Sequence, residues 1–238
     1  RGNLIQINNE DGSIENIIPV EKNKADVEND WGYISITKDK IIGSASPKGS
    51  AYTNYYGGDG WYDAKSGPLT DKNISFNLFA KTTKEGASVW NYQNSGRHII
   101  NPTITIDKNQ ICFVESRNPN FKLSDAGRAD PSIFKNLYMV ALNVETGEVN
   151  WEKPVENMPG ITTYFMAGSD DRNVVLASNG GFYYIYNYDA RNGDLIWMKK
   201  QKWFSGDHGG HFSKTSIVNN SSIVKPAMYE LVTGKLMK

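Results

Sequence analysis

Val140-Ala141-Leu142-Asn143-Val144-Glu145-Thr146-Gly147-Glu148-Val149-Asn150-Trp151 is the stretch whose reading decides the fold. Val140, Leu142 and Val144 alternate with Ala141 and Asn143, the two-residue period of a strand with one buried face. Glu145-Thr146-Gly147 then supplies a tight turn in which the glycine takes a positive φ without steric cost. Val149 and Trp151 resume the alternation on the return strand, so the stretch reads as a β-hairpin.

Reduced copies of this hairpin recur in one register. Glycine is followed four residues later by tryptophan at Gly86/Trp90, Gly147/Trp151 and Gly193/Trp197, and copies without the tryptophan end at Gly12 and Gly234. These five glycines lie 74, 61, 46 and 41 residues apart. A unit of about 40 residues with variable insertions is the signature of β-propeller blades of four antiparallel strands.

Strand and turn patterns fill in the rest of each unit. With the strands of a blade called A to D, the motif hairpin supplies C and D. Residues 1–19 give only that half. Tyr33–Ile36 and Ile41–Ser44 then read as A and B, with C and D near Ser75–Thr82 and Ala87–Tyr92. Thr103–Ile106 and Ile111–Glu115 open the next unit, Thr163–Ala167 and Val174–Ala177 the one after, and Ser216–Val218 with Ile223–Val224 the last. The repeats span 1–19, 31–95, 99–155, 161–201 and 213–238. That is an all-β chain forming one propeller domain or segment of about four and a half blades, where closed propellers use four to eight. The N-terminus, Arg1-Gly2-Asn3-Leu4, has neither a starting Met nor a signal peptide and enters within a repeat, so the expectation is a larger propeller whose remaining blades, or a fused domain, lie outside this chain.

Composition narrows the function classes. Lys plus Arg equals Asp plus Glu, 26 against 26, which leaves no net positive charge to attract nucleic acid. No apolar run approaches the roughly 20 residues of a membrane-spanning helix. Cys112 is the only cysteine, which excludes an intrachain disulfide; between Ile111 and Phe113 it reads as a small buried strand residue.

In an up-and-down blade the A–B and C–D turns emerge at one end of the sheet, and the B–C loops and D–A crossovers at the other. The second end collects the long segments: 46–73, 94–101, 116–135 and 202–214. Long loops on one face of a rigid scaffold are the ordinary place for a binding site. Asp207, His208 and His211, set among glycines, form a candidate transition-metal site, with hydrogen-bonding loop histidines as the alternative. Arg97 and His98 in another crossover can approach the same area. Asp59, Trp61, Tyr62 and Asp63 suit stacking on a sugar or planar cofactor, or oxygen coordination of calcium, and equally a loop packed by its own aromatics. Glu115, Arg117 and Asn118 sit where a B strand leaves the sheet, as a substrate or anion contact or as a loop-stabilising salt bridge. Asn179-Gly180-Gly181, at the equivalent strand end, is a ligand-contact candidate or a simple turn.

Ala141-Leu142-Asn143-Val144-Glu145-Thr146-Gly147 with Trp151 resembles the Ala-x-Asp-x-x-Thr-Gly-x-x-x-Trp repeat of the pyrroloquinoline-quinone (PQQ)-like propellers, a family that includes quinoprotein alcohol dehydrogenases and the propeller lipoprotein of the outer-membrane barrel-assembly machinery. The resemblance implies that Trp90, Trp151 and Trp197 pack between neighbouring blades, and that the protein is bacterial and periplasmic or extracellular. It leaves two functions open. One is a non-catalytic scaffold that binds a protein, glycan or small molecule at its loop-rich face. The other is a quinoprotein-type oxidoreductase acting on an alcohol or sugar with PQQ and Ca2+, for which Glu115, Arg117 and Asp207 are the acid–base and orienting candidates. The vicinal cysteine pair common at the cofactor of the family enzymes cannot form from one cysteine, and their catalytic Asp and calcium-binding Glu and Asn match no position here. These departures favour the scaffold, with no cofactor firmly expected.

Overall fold

The computed structural model describes residues 2–22, 28–48, 74–93, 95–107, 109–121, 131–161, 163–169, 171–204 and 215–237. Hairpin I is β1 (Asn3–Ile7) and β2 (Ile14–Pro19). Blade II contains β3 (Asn29–Thr37), β4 (Lys40–Pro47), β6 (Asn77–Thr82) and β7 (Ser88–Gln93), paired in that order, with the short β5 (Ile74–Ser75) preceding β6. Blade III follows with β8 (His98–Ile100), β9 (Thr105–Asp107), β10 (Gln110–Ser116), β11 (Leu137–Asn143) and β12 (Val149–Val155). Blade IV is the four-stranded meander β13 (Thr163–Gly168), β14 (Arg172–Asn179), β15 (Phe182–Asp189) and β16 (Leu195–Lys202). Blade V has β17 (Ser216–Val218), β18 (Ser221–Val224) and β19 (Ala227–Glu230), with a single bridge from Tyr229 to Leu236 where a fourth strand would lie. The chain is therefore a partial β-propeller.

The five motif turns share one geometry. Each glycine has a positive φ, between 64° and 75°, and donates its backbone N–H to the carbonyl four residues earlier at 2.8–3.0 Å. The side-chain oxygen of Asn8, Asn143 or Asp189, at that earlier position, accepts the backbone N–H two residues on and so pre-forms the turn. In blades II to V the residue three before the glycine (Thr83, Val144, Ala190, Leu231) donates its backbone N–H to an A–B turn carbonyl at 2.9–3.0 Å. That bond ties the two short turns of each blade together.

Buried apolar clusters join the sheets in chain order. Ile18 packs with Trp31, Ile41 and Phe79 between hairpin I and blade II. Leu78, Tyr92, Phe113 and Val140 fill the next seam, Met139, Tyr164, Val175 and Tyr186 the one between blades III and IV, and Leu176, Ile185, Trp197 and Tyr229 the last. The motif residues hold these seams. A Cβ on Gly147 would lie 2.6 Å from the Trp90 ring, on Gly193 2.5 Å from Trp151, and on Gly234 2.8 Å from Trp197. The tryptophan of one blade thus lies on the motif glycine of the next, as the resemblance implied. Gly12 of hairpin I, by contrast, has nothing within 4 Å of the equivalent position.

Two local readings from the sequence are corrected. Ser75 does not begin the C strand of blade II: with Ile74 it pairs with β8 of blade III, and β6 starts at Asn77. The segment 94–101 is not purely a crossover, because β8 within it pairs with the far end of β10 before a 3-10 turn at Asn101–Thr103 and β9 resume the A-strand position. A buried polar cluster accompanies this exchange. Ser75 Oγ donates to Ser44 Oγ at 2.8 Å and meets Ser46 Oγ at 3.0 Å, while Asn101 Nδ2 donates to Ser46 Oγ at 3.3 Å. Gly32 admits the cluster, since a Cβ there would fall 2.2 Å from Ser46 Oγ. Hydrogen bonding among these groups offsets the cost of burying them.

Candidate functional site

The antiparallel order places the B–C connections and the D–A crossovers at one end of every blade, as expected from the sequence. At that end of blade III, β10 runs out through Glu115, which lies opposite Ile99 of β8 and Tyr138 of β11. Strand alternation turns Glu115 toward the seam with blade II, and it has no exposed surface. Its Oε1 accepts from Arg117 Nε at 2.7 Å and from Arg97 Nη1 at 3.2 Å, and its Oε2 accepts from the Tyr92 hydroxyl at 3.0 Å. Arg117 continues outward to Glu152 in a two-pronged pair, at 2.9 and 2.6 Å, and stacks on the Tyr138 ring at 3.7 Å.

Two arginines and two glutamates make this cluster neutral. Burial pushes the Glu115 carboxyl above its ordinary range, against the pull of Arg117, Arg97 and the Tyr92 hydroxyl. Glu152, nearer solvent, is held low by its hydrogen bonds from Arg117. Burial and the adjacent Glu115 charge push the Tyr92 hydroxyl up to about 12. Sequence reading named Glu115, Arg117 and Arg97; it missed Tyr92, Tyr138 and Glu152, which come from three other strands. The one available signal was the position of Glu152 directly after the motif tryptophan, which turns it to the opposite side of the strand from Trp151.

His98 does not join the cluster. Neighbouring residues of β8 face opposite sides, and its ring meets Phe121 edge-on at 4.8 Å and Phe76 at 6.3 Å. Burial lowers its pKa and favours the neutral ring, whose Nδ1 is buried without a partner among the described residues. Asn118 is buried and holds the B–C loop: Nδ2 donates to the Ser132 carbonyl at 2.9 Å and Oδ1 accepts the Asn120 N–H at 3.1 Å. Asn179 ends β14 opposite Phe182, and Gly180 and Gly181, both at positive φ, close a two-residue hairpin turn. Asp59, Trp61, Tyr62, Asp63, Asp207, His208 and His211 lie outside the described residues.

Two concavities flank blade IV. A groove of about 1010 Å³ runs between the end of β12 and the outer strands of blade IV, past Met158, Tyr184, Tyr186, Leu195 and Met198. Its wall is fixed by hydrogen bonds, from the Met158 N–H to Tyr186 Oη at 2.9 Å and from the Tyr188 hydroxyl to Asn157 Oδ1 at 2.6 Å. A smaller cavity of about 270 Å³ lies at the opposite, short-turn end of the seam between blades III and IV.

Both oxygens of Glu115 already face an arginine or a phenol, and no group of three or more His, Cys, Asp or Glu is placed to hold a metal ion among the described residues.

No family model matches the chain, and no curated protein matches it. Among solved structures it is similar to a europium-containing methanol dehydrogenase, with 11% identity, a TM-score of 0.50 and coverage of 99% of this chain and 46% of that one. It is similar to the exotype rhamnogalacturonan lyase YesX, with 12% identity, a TM-score of 0.52 and coverage of 98% and 48%. The quinohemoprotein alcohol dehydrogenase ADHIIG of Pseudomonas putida HK5 aligns over 99% of this chain and 34% of that one, with 13% identity and a TM-score of 0.48. The chain spans less than half the length of each of these proteins. At these identities the likeness concerns the propeller fold alone.

Proposed function

We propose that the chain is a non-catalytic PQQ-like propeller segment that binds a protein, glycan or small molecule at its loop-bearing end, as part of a larger propeller outside the cytoplasm. The observation that carries this reading is the state of Glu115. A general base needs an accessible carboxylate within reach of a substrate proton. Glu115 has no exposed surface, and its oxygens accept hydrogen bonds from Arg97, Arg117 and Tyr92. It acts as a buried counter-ion that fixes the root of the loop beginning at Arg117. A rigid frame under long loops is what a recognition surface requires.

Titrating the protein with PQQ, with and without Ca2+, and following tryptophan fluorescence and thermal stability separates this reading from an oxidoreductase. The scaffold gives no saturable, calcium-dependent response. Saturable binding that depends on calcium, followed by dye-linked oxidation of an alcohol or sugar, would overturn it.

A further inference from the structure

The seam between blades III and IV departs from its neighbours in a way that opens a cavity. At the flanking seams the motif tryptophan donates its indole N–H to the carbonyl three residues before the next motif glycine: Trp90 Nε1 to Val144 O and Trp197 Nε1 to Leu231 O, both at 3.0 Å. At this seam the equivalent carbonyl, Ala190 O, accepts instead from Gln110 Nε2 at 2.7 Å, and the Trp151 indole N–H is left buried without a partner among the described residues. Gln110 also donates to Cys112 Sγ at 3.2 Å, so it forms one wall of the cavity.

The floor of that cavity is polar and incompletely satisfied. Asn173 is 1% exposed and lines it. Its Oδ1 accepts from Thr105 Oγ1 at 3.4 Å, whereas its Nδ2 faces the Cys112 thiol, a weak acceptor, and finds no oxygen or nitrogen acceptor among the described residues. A buried amide donor that meets only a thiol is incompletely satisfied, so an oxygen from outside the protein would complete the floor. Gly168 keeps the space open: a Cβ there would lie 2.8 Å from Thr105 Oγ1 and 3.2 Å from Asn173 Oδ1. At the mouth stand Asp107, half-buried and without an ion-pair partner among the described residues, and Ser169. Arg191, the cation of the rim among the described residues, is engaged by Asp189.

We infer that this cavity is a binding site for a small neutral polyol, a monosaccharide or sugar alcohol. Its volume of about 270 Å³ is far more than a single water needs. The groups around it include a donor at the floor (Asn173 Nδ2), a hydroxyl on the wall (Thr105), and a hydroxyl and a carboxylate acceptor at the mouth (Ser169, Asp107). A ligand whose groups both donate and accept matches that set, and hydroxyls do both. An anion would meet Asp107 and find the rim guanidinium already paired. The site lies on the short-turn end, opposite the loop-bearing end, so its fate is independent of the function proposed above.

The test is a titration of the intact chain with glucose, galactose, xylitol and mannitol, with sulfate and glycine as charged controls. It reads heat and the side-chain amide NMR signals of Asn173. Saturable binding of at least one polyol in the millimolar range or tighter, moving the Asn173 Nδ2 signals, is expected. Asn173→Leu keeps the volume and removes the donor, and should weaken binding about tenfold; Thr105→Val serves the same purpose if that variant does not fold. Binding unchanged in these variants, binding of the charged controls alone, or Asn173 signals unmoved by every polyol would each overturn the inference, the last assigning the cavity to water.

Discussion

Replacing Gly193 by Ala tests how the blades are joined. Gly193 has a φ of +74°, and an added Cβ would lie 2.5 Å from Trp151 Cζ3 and 3.1 Å from Cε3 and Cη2. The left-handed backbone costs an L-residue about 1–2 kcal/mol, and stiffening the unfolded chain returns about 0.4–1 kcal/mol. Pushing a large ring out of a packed seam adds about 1–3 kcal/mol. The expected net destabilisation is about 2–4 kcal/mol, of which the backbone part is the smaller. A double-mutant cycle separates the two parts. In a Trp151→Leu background the steric part disappears, and Gly193→Ala should cost only about 1 kcal/mol there. Urea unfolding of the four proteins, followed by far-UV circular dichroism, gives the coupling. An equal cost in both backgrounds would refute the contact between the Trp151 ring and the motif turn of the next blade.

Three further outcomes follow from the same geometry. Glu115→Ala removes the buried acceptor of three hydrogen bonds while Arg117 keeps Glu152, and should lower stability by about 1–3 kcal/mol in urea; wild-type stability would show that the guanidiniums are freely resolvated. The Asp189 carboxyl is held down to about 2, chiefly by its hydrogen bond from Arg191 and against the effect of burial. A depressed carboxylate contributes stability that is present above its unfolded pKa and lost as pH falls through the folded one. The thermal-stability advantage of wild type over Asp189→Asn should therefore be full above about pH 4 and shrink toward pH 2; a constant difference would contradict the ion pair. Burial pushes the Cys112 thiol up to about 11, so iodoacetamide at pH 8 should modify it far more slowly in the folded chain than in urea.

The repeat was legible because its determinants are local. A glycine that needs a positive φ and alternation on either side specify each motif turn within about a dozen residues, with an Asn or Asp four residues before the glycine in three of them and Thr82 or Glu230 there in the other two. Where chain neighbours do not decide pairing, sequence reading failed. Ser75 continues the run into Asn77–Thr82 in the sequence, yet its backbone pairs with β8 of blade III while its side chain bonds to Ser44 and Ser46 of blade II, contacts that no local pattern announces. The candidate site was half legible for the same reason. Glu115 and Arg117 announced themselves as a charged pair at a strand end, but whether they bind a ligand or each other depended on Tyr92, Arg97 and Glu152. The cavity beside Asn173 left no trace in the sequence, since its lining comes from two blades and includes Gln110, which takes a carbonyl that accepts from an indole at the neighbouring seams.

The claim beneath all of this is that each blade's tryptophan rests on the motif glycine of the blade that follows. Nuclear Overhauser contacts from the indole rings to glycine Hα protons measure it directly. The fold requires Trp90 to contact Gly147, Trp151 to contact Gly193 and Trp197 to contact Gly234. Contacts from each ring to the glycine of its own hairpin, Gly86, Gly147 and Gly193 in turn, would contradict the order of the blades and the binding surfaces derived from it.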